Sequence, residues 1–150
     1  MTLLHSPPLT PITSTERADR LSEAGSAWST RIEADTQNAQ LTYRVRGSGE
    51  GSVATRITAG RHQFHIDEPQ SLAGDDVAPS PVEIALGALI SCQVVVYRLY
   101  ANALGIVLDD IAIDATGDLD ARRLFGLNHD VRAGFRAVHL DITITGPETD

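Results

Sequence analysis

The chain has 150 residues, 42% of them hydrophobic and 21% charged, the composition of an ordinary globular protein with room for one domain and one core. All twelve basic residues are Arg, and the one Cys is Cys92. This excludes Lys Schiff-base and phosphate-loop chemistry, internal disulfides and multi-thiolate zinc or iron–sulfur sites. The net charge of −8 repels phosphate backbones and argues against a nucleic-acid partner, and the lack of disulfides fits a reducing, cytoplasmic setting.

Residues 1–38 read as an N-terminal leader. Pro7, Pro8 and Pro11 break the first residues, which carry no positive charge, so they do not read as a secretory signal. Residues 1–14 are expected to be disordered. Residues 15–28 suit a short helix opened by Thr15, with Ala18, Leu21 and Ala24 at helical spacing before Gly25.

A domain over residues 39–150 follows. Leu41, Tyr43 and Val45 alternate with Thr42, Arg44 and Arg46, which predicts a half-buried strand. Gly47 to Gly51 reads as a turn, Val53 to Thr58 as a second strand and His62 to Ile66 as a third. Asp67 to Pro79 is loop.

Ser80, Pro81 and Glu83 then give a helix start: a cap, a proline suited to the first turn and the third member of a capping box. This helix is expected to run to about Leu104, with Gly105 at its C-terminal end. Its first four turns are apolar all round, which predicts burial on every side. The apolar stretch Ile84 to Tyr97 is shorter than the roughly 18 residues of a membrane span, so a core helix and no membrane are expected.

Val107 to Leu119 and Arg136 to Thr145 alternate as two further strands, joined by a long loop. The expected fold class is α+β, with antiparallel strands around a long buried central helix. One five-stranded sheet cannot cover such a helix, so a further segment or a second subunit is needed.

The candidate chemistry is sparse. Cys92 lies in the long helix, with Ala88, Leu89, Val95 and Val96 as helical neighbours. An apolar shell makes a thiol inert, whereas an Arg reaching it would stabilise the thiolate. Arg46, beside the glycine-rich turn, is the selected Arg; Arg44 and Arg56 read as solvated strand charges. Glu83 reads either as an Arg-orienting carboxylate or as the capping-box residue. It lies nine residues before Cys92, hence on the opposite helix face and about 13 Å away along the axis, so direct contact within one straight helix is excluded. His62 and His65 point to opposite strand faces and make a poor metal pair. His139, Asp75 and Asp76 form no metal-like pattern. No dinucleotide fingerprint or Gly-x-Ser-x-Gly elbow is present, so neither metal nor bound cofactor is expected.

The stretch from Asp67 to Ile106, DEPQSLAGDDVAPSPVEIALGALISCQVVVYRLYANALGI, resembles the signature region of the OsmC/Ohr family, in its broad OsmC-like branch. The shared features are an Asp-Glu-Pro strand end, a Gly-rich loop and Pro79-x-Pro81-x-Glu83 opening a central helix that carries Ser91-Cys92. GDLDARRLFGLN and VRAGFRAVHLDITITG are similar to that family's later pieces, so the resemblance covers roughly residues 39–146. In better characterised members Glu directly follows the helix-start Pro; here Val82 stands there.

The resemblance implies an intertwined homodimer with the central helices packed at its core. It also implies a cytoplasmic, bacterial thiol peroxidase that reduces organic hydroperoxides in oxidative and osmotic stress. Cys92 would be the peroxidatic thiol, Arg46 its stabilising cation and Glu83 the carboxylate of the relay. The family's resolving Cys would lie in a C-terminal helix after the last residue given, so an external thiol reductant is expected. Two other readings stay open: a non-catalytic dimer binding a small apolar ligand, and a hydrolase using Cys92, for which no His is placed as base.

Overall fold

A computed structural model describes residues 9–147. The described chain falls into two compact units, one through Ile84 and one from Ala85.

The first unit opens with helix α1, Ser14–Ala34, longer at both ends than its periodicity predicts. The start is set by Thr13, not Thr15. The Thr13 hydroxyl accepts from the Glu16 amide at 3.1 Å, while Glu16 Oε2 accepts from the Thr13 amide at 2.8 Å, a closed capping box. The Thr13 amide, followed by its hydroxyl, holds the Glu16 carboxyl below its usual range. Gly25 is helical, because nothing crowds it and the turns beyond it are supported. Arg31 lies over the Trp28 ring at 5.0 Å, and Asn38 Nδ2 donates to the Arg31 carbonyl. Of the leader expected to be disordered, residues 1–8 lie outside the described residues.

Three antiparallel strands follow, in the order β1 (Val45–Glu50), β2 (Ala54–Ala59) and β3 (His62–Ile66). β3 falls where alternation puts it, and β2 is shifted by one residue. β1 starts four residues late. Val45 pairs with Ala59 and Glu50 with Ala54, so Gly47, Ser48 and Gly49 are strand residues and the turn moves to Gly51, at φ +54. Packing explains the shift: a Cβ at Gly47 would stand 3.2 Å from Thr55 Cγ2 and 3.3 Å from Ile57 Cδ1, so glycine lets the β2 side chains lie over β1. Leu41 and Tyr43, though alternating, remain outside the ladder and exposed. Glu50 ties the sheet, pairing with Arg56 and standing 3.1 Å from His65 Nε2.

The long helix α2 spans Pro81–Ala103 and begins as predicted. Its C-terminus is a complete Schellman arrangement: the Ile106 amide donates to the Ala101 carbonyl at 2.8 Å, the Gly105 amide donates to that of Asn102 at 3.2 Å, and Gly105 sits at φ +71.

Two strands complete the second unit. β4 (Asp110–Leu119) begins three residues later than expected, and β5 (Phe135–Thr145) one residue earlier. Their register pairs Ile111 with Ile144, Ile113 with Ile142, Ala115 with Leu140 and Gly117 with Val138, one apolar face as the alternation requires. The Phe135 ring lies over Gly117, and a bulge at Asp118/Leu119 accommodates the extra residue. In the connecting loop Asp120 accepts from the Arg122 amide and from its guanidinium, at 2.5 Å from the terminal nitrogen. The Arg122 guanidinium, chiefly, draws the Asp120 carboxyl down to about 2.

The strands thus form a three-stranded and a two-stranded sheet, not one five-stranded sheet. The prediction that α2 is buried on every side does not hold within one chain. Ala101 alone on this helix is buried, while Val95 and Tyr100 are 53% and 68% exposed. An apolar helix needs cover, and among the described residues α2 is left largely open to solvent. The span estimate is also corrected: among the described residues α2 alone is long and apolar enough to cross a membrane, with a mean hydropathy of 1.6. A helix packed on all sides has the same composition.

Candidate active site

The site is built from the start of α2 and the loop that leads into it. Strand β3 ends at Ile66, and the next residue, Asp67, is 1% exposed. Its Oδ2 accepts from the amides of Asp75 (3.0 Å) and Val77 (3.3 Å), while its own amide donates to the Pro79 carbonyl at 3.1 Å. Oδ1 is buried without a hydrogen-bond partner among the described residues. The nearby Glu68 amide, chiefly, with those of Val77, Asp75 and Asp76, holds the carboxyl below its usual range against the desolvation that would raise it.

The loop closes tightly around this carboxylate. The Asp76 amide donates to the Glu68 carbonyl and the Gly74 amide to that of Pro69, both at 3.2 Å. Ala73 and Asp76 take left-handed φ of 66 and 56. Gly74 lies so close to Glu68 that a Cβ would fall 1.7 Å from its carbonyl oxygen.

Ser80 follows directly. Its amide and its hydroxyl both donate to Glu83 Oε2 at 2.7 Å, and the Glu83 amide donates to the Ser80 hydroxyl oxygen at 3.3 Å. The Ser80 amide, then its hydroxyl, holds the Glu83 carboxyl below its usual value. Glu83 is therefore the capping-box residue. Both Ser80 donors converge on Oε2, so that among the described residues Oε1 is the carboxylate oxygen available to a further donor such as a guanidinium.

Cys92 is a free thiol on α2, and within the single chain it is exposed. The apolar shell expected around it is therefore not closed by this chain. Arg46 is an exposed residue of β1, paired across the ladder with Thr58. Arg56, read from the sequence as a solvated strand charge, is instead paired with Glu50. Among the described residues no group of His, Cys, Asp and Glu is arranged to hold a metal ion.

Reading the sequence alone missed Asp67. The signal was an acid at a strand end followed by a loop of small residues, the setting in which an Asp side chain collects backbone amides.

A family model, OsmC-like protein, matches residues 74–150, the part that carries the second half of the loop, α2 and the β4–β5 hairpin. The chain belongs to the OsmC-like family. Its fold is similar to that of solved members at low sequence identity. An OsmC-like protein from Mycoplasma pneumoniae is 18% identical over 74% of either chain, with a TM-score of 0.63. An osmotic stress induced and detoxification response protein from Psychrobacter arcticus is 20% identical over 74% of this chain and 76% of that one, with a TM-score of 0.58. An organic hydroperoxide resistance protein OsmC from Legionella pneumophila, also described as a regulator of sulfide bond formation, is 23% identical over 71% of this chain and 72% of that one, with a TM-score of 0.53. No curated protein matches the chain. These likenesses establish the OsmC-like α+β fold of helices and antiparallel sheets.

Proposed function

We propose that this OsmC-like protein is a thiol peroxidase acting on organic hydroperoxides through Cys92. The observation that carries the reading is an accessible Cys92 on α2, inside the matched region and downstream of the Ser80–Glu83 helix start. The Legionella pneumophila neighbour is named for organic hydroperoxide resistance, which supports the same chemistry.

In the proposed reaction the Cys92 thiolate attacks the terminal oxygen of the hydroperoxide. The O–O bond breaks, the sulfur gains an S–O bond as a sulfenic acid, and the alkoxide leaves and takes a proton to become the alcohol. One external thiol then forms a mixed disulfide and releases water, and a second restores Cys92 as a disulfide of the reductant forms. A guanidinium is suited to stabilise the thiolate because it is always charged; Arg46 is the proposed donor, with the open Oε1 of Glu83 orienting it.

The active form is proposed to be a cytoplasmic homodimer, supported by the exposed apolar length of α2, which a second copy would cover. The test is consumption of cumene hydroperoxide with a dithiol reductant. Activity well above that of Cys92→Ser is expected, and equal rates overturn the reading. A second reading, a non-catalytic dimer holding a small apolar ligand, is favoured by the presence of one Cys in the chain. It predicts hydroperoxide consumption no faster than that of Cys92→Ser.

A further inference from the structure

We infer that Asp67 is a positioning residue for the Glu83 carboxylate, fixing the direction in which the chain reaches the first turn of α2. The inference deepens the peroxidase reading and rests on it for its activity readout. Its structural part stands alone.

Asp67 fastens the 67–79 segment at both ends of its second half. Its carboxylate holds the amides of Asp75 and Val77, and its amide holds the carbonyl of Pro79. The next residue, Ser80, carries both groups that grip Glu83 Oε2. From the buried carboxylate to Glu83 the chain is thus pinned at residues 75, 77, 79 and 80 in succession. Two left-handed non-glycine residues, Ala73 and Asp76, lie in the same loop. Such conformations persist only where the surroundings over-determine them, and the Asp67 carboxylate, beyond the reach of water, is the group that does so. Without it the loop loses its centre, and Ser80 is no longer delivered to Glu83 at one fixed angle. Asp67 touches neither Cys92 nor substrate in this account and acts through Glu83.

The test compares Asp67→Ala and Asp67→Asn with the wild type by residue-resolved hydrogen exchange and by hydroperoxide kinetics. In Asp67→Ala the amides of residues 75, 77, 80 and 83 are expected to exchange about tenfold faster or more, the loss of roughly one hydrogen bond each. kcat/KM is expected to fall by about tenfold with them, through kcat more than KM. Asn keeps one acceptor oxygen, so Asp67→Asn recovers most of both. If Asp67→Ala does not fold, intermediate exchange in Asp67→Asn carries the test. Glu83→Ala, which removes the acceptor, serves as the control for direction: it loosens residue 80 and leaves 75 and 77 protected.

Faster exchange at 75 and 77 with residues 80 and 83 and kcat/KM unchanged overturns the inference, as does unchanged exchange throughout. A wild type without peroxidase activity sinks the proposed function, while the exchange pattern still decides the role of Asp67.

Discussion

Replacing one glycine by alanine is expected to act in opposite directions at two places in the first unit. At Gly74 the added methyl would fall 1.7 Å from the Glu68 carbonyl oxygen, 2.4 Å from its carbon and 2.9 Å from Asp67 Oδ1. An ordinary contact needs about 3.4 Å, so backbone must move by well over an ångström. That movement disrupts the Asp76–Glu68 and Gly74–Pro69 hydrogen bonds. Two such bonds are worth about 2 kcal/mol, and residual strain brings the total to about 3 kcal/mol. At Gly25, inside α1, nothing lies within 4 Å of the added methyl. Alanine there removes a helix-interior glycine and stabilises by about 0.5–1 kcal/mol. The assay is urea unfolding followed by circular dichroism. With a slope of about 2 kcal/mol/M, Gly74→Ala lowers the midpoint by about 1.5 M, while Gly25→Ala raises it slightly. A Gly74→Ala midpoint within experimental error of the wild type would refute the packing of the 67–79 loop described above.

Other outcomes follow from the same geometry. Asp120, drawn down to about 2 by Arg122, contributes stability that is present above its unfolded value near 3.8 and is lost as pH falls through about 2. The loop of residues 120–128 should therefore loosen between about pH 4 and pH 2, and Arg122→Ala should remove most of that pH dependence, as followed by amide shifts. Gly117→Ala meets only the edge of the Phe135 ring, which can rotate away, so its midpoint should shift far less than that of Gly74→Ala. Val95 is 53% exposed on α2, so if a second copy covers this helix, Val95→Asp should convert a dimer to monomer in light scattering. A wild-type monomer would contradict the proposed assembly.

Much of the fold was legible because local signals agreed. At α2, the Ser80 cap, Pro81, Glu83 and the terminal Gly105 all act within a few residues, and the helix forms where they put it. In the β4–β5 hairpin the period-two pattern sets the face, and the ladder pairs isoleucines across it. Errors arose where partners are distant in sequence. The alternation of Leu41, Tyr43 and Val45 is a true strand pattern, but β2 pairs instead with a run containing Gly47, whose missing side chain admits Thr55 and Ile57. Apolar composition predicted that α2 would be covered without saying by what. In the site, the Glu83 cap was readable from three adjacent residues. Asp67 was not, because its burial depends on amides eight and ten residues away.

The central claim is that Cys92 reduces a hydroperoxide in one step. The direct measurement is a single turnover of the reduced protein with one equivalent of cumene hydroperoxide, quantifying the alcohol formed and trapping sulfenic acid by mass spectrometry. The account predicts about one equivalent of cumyl alcohol per subunit and a matching adduct on Cys92, both lost in Cys92→Ser. Unchanged hydroperoxide with an unmodified Cys92 thiol would contradict it.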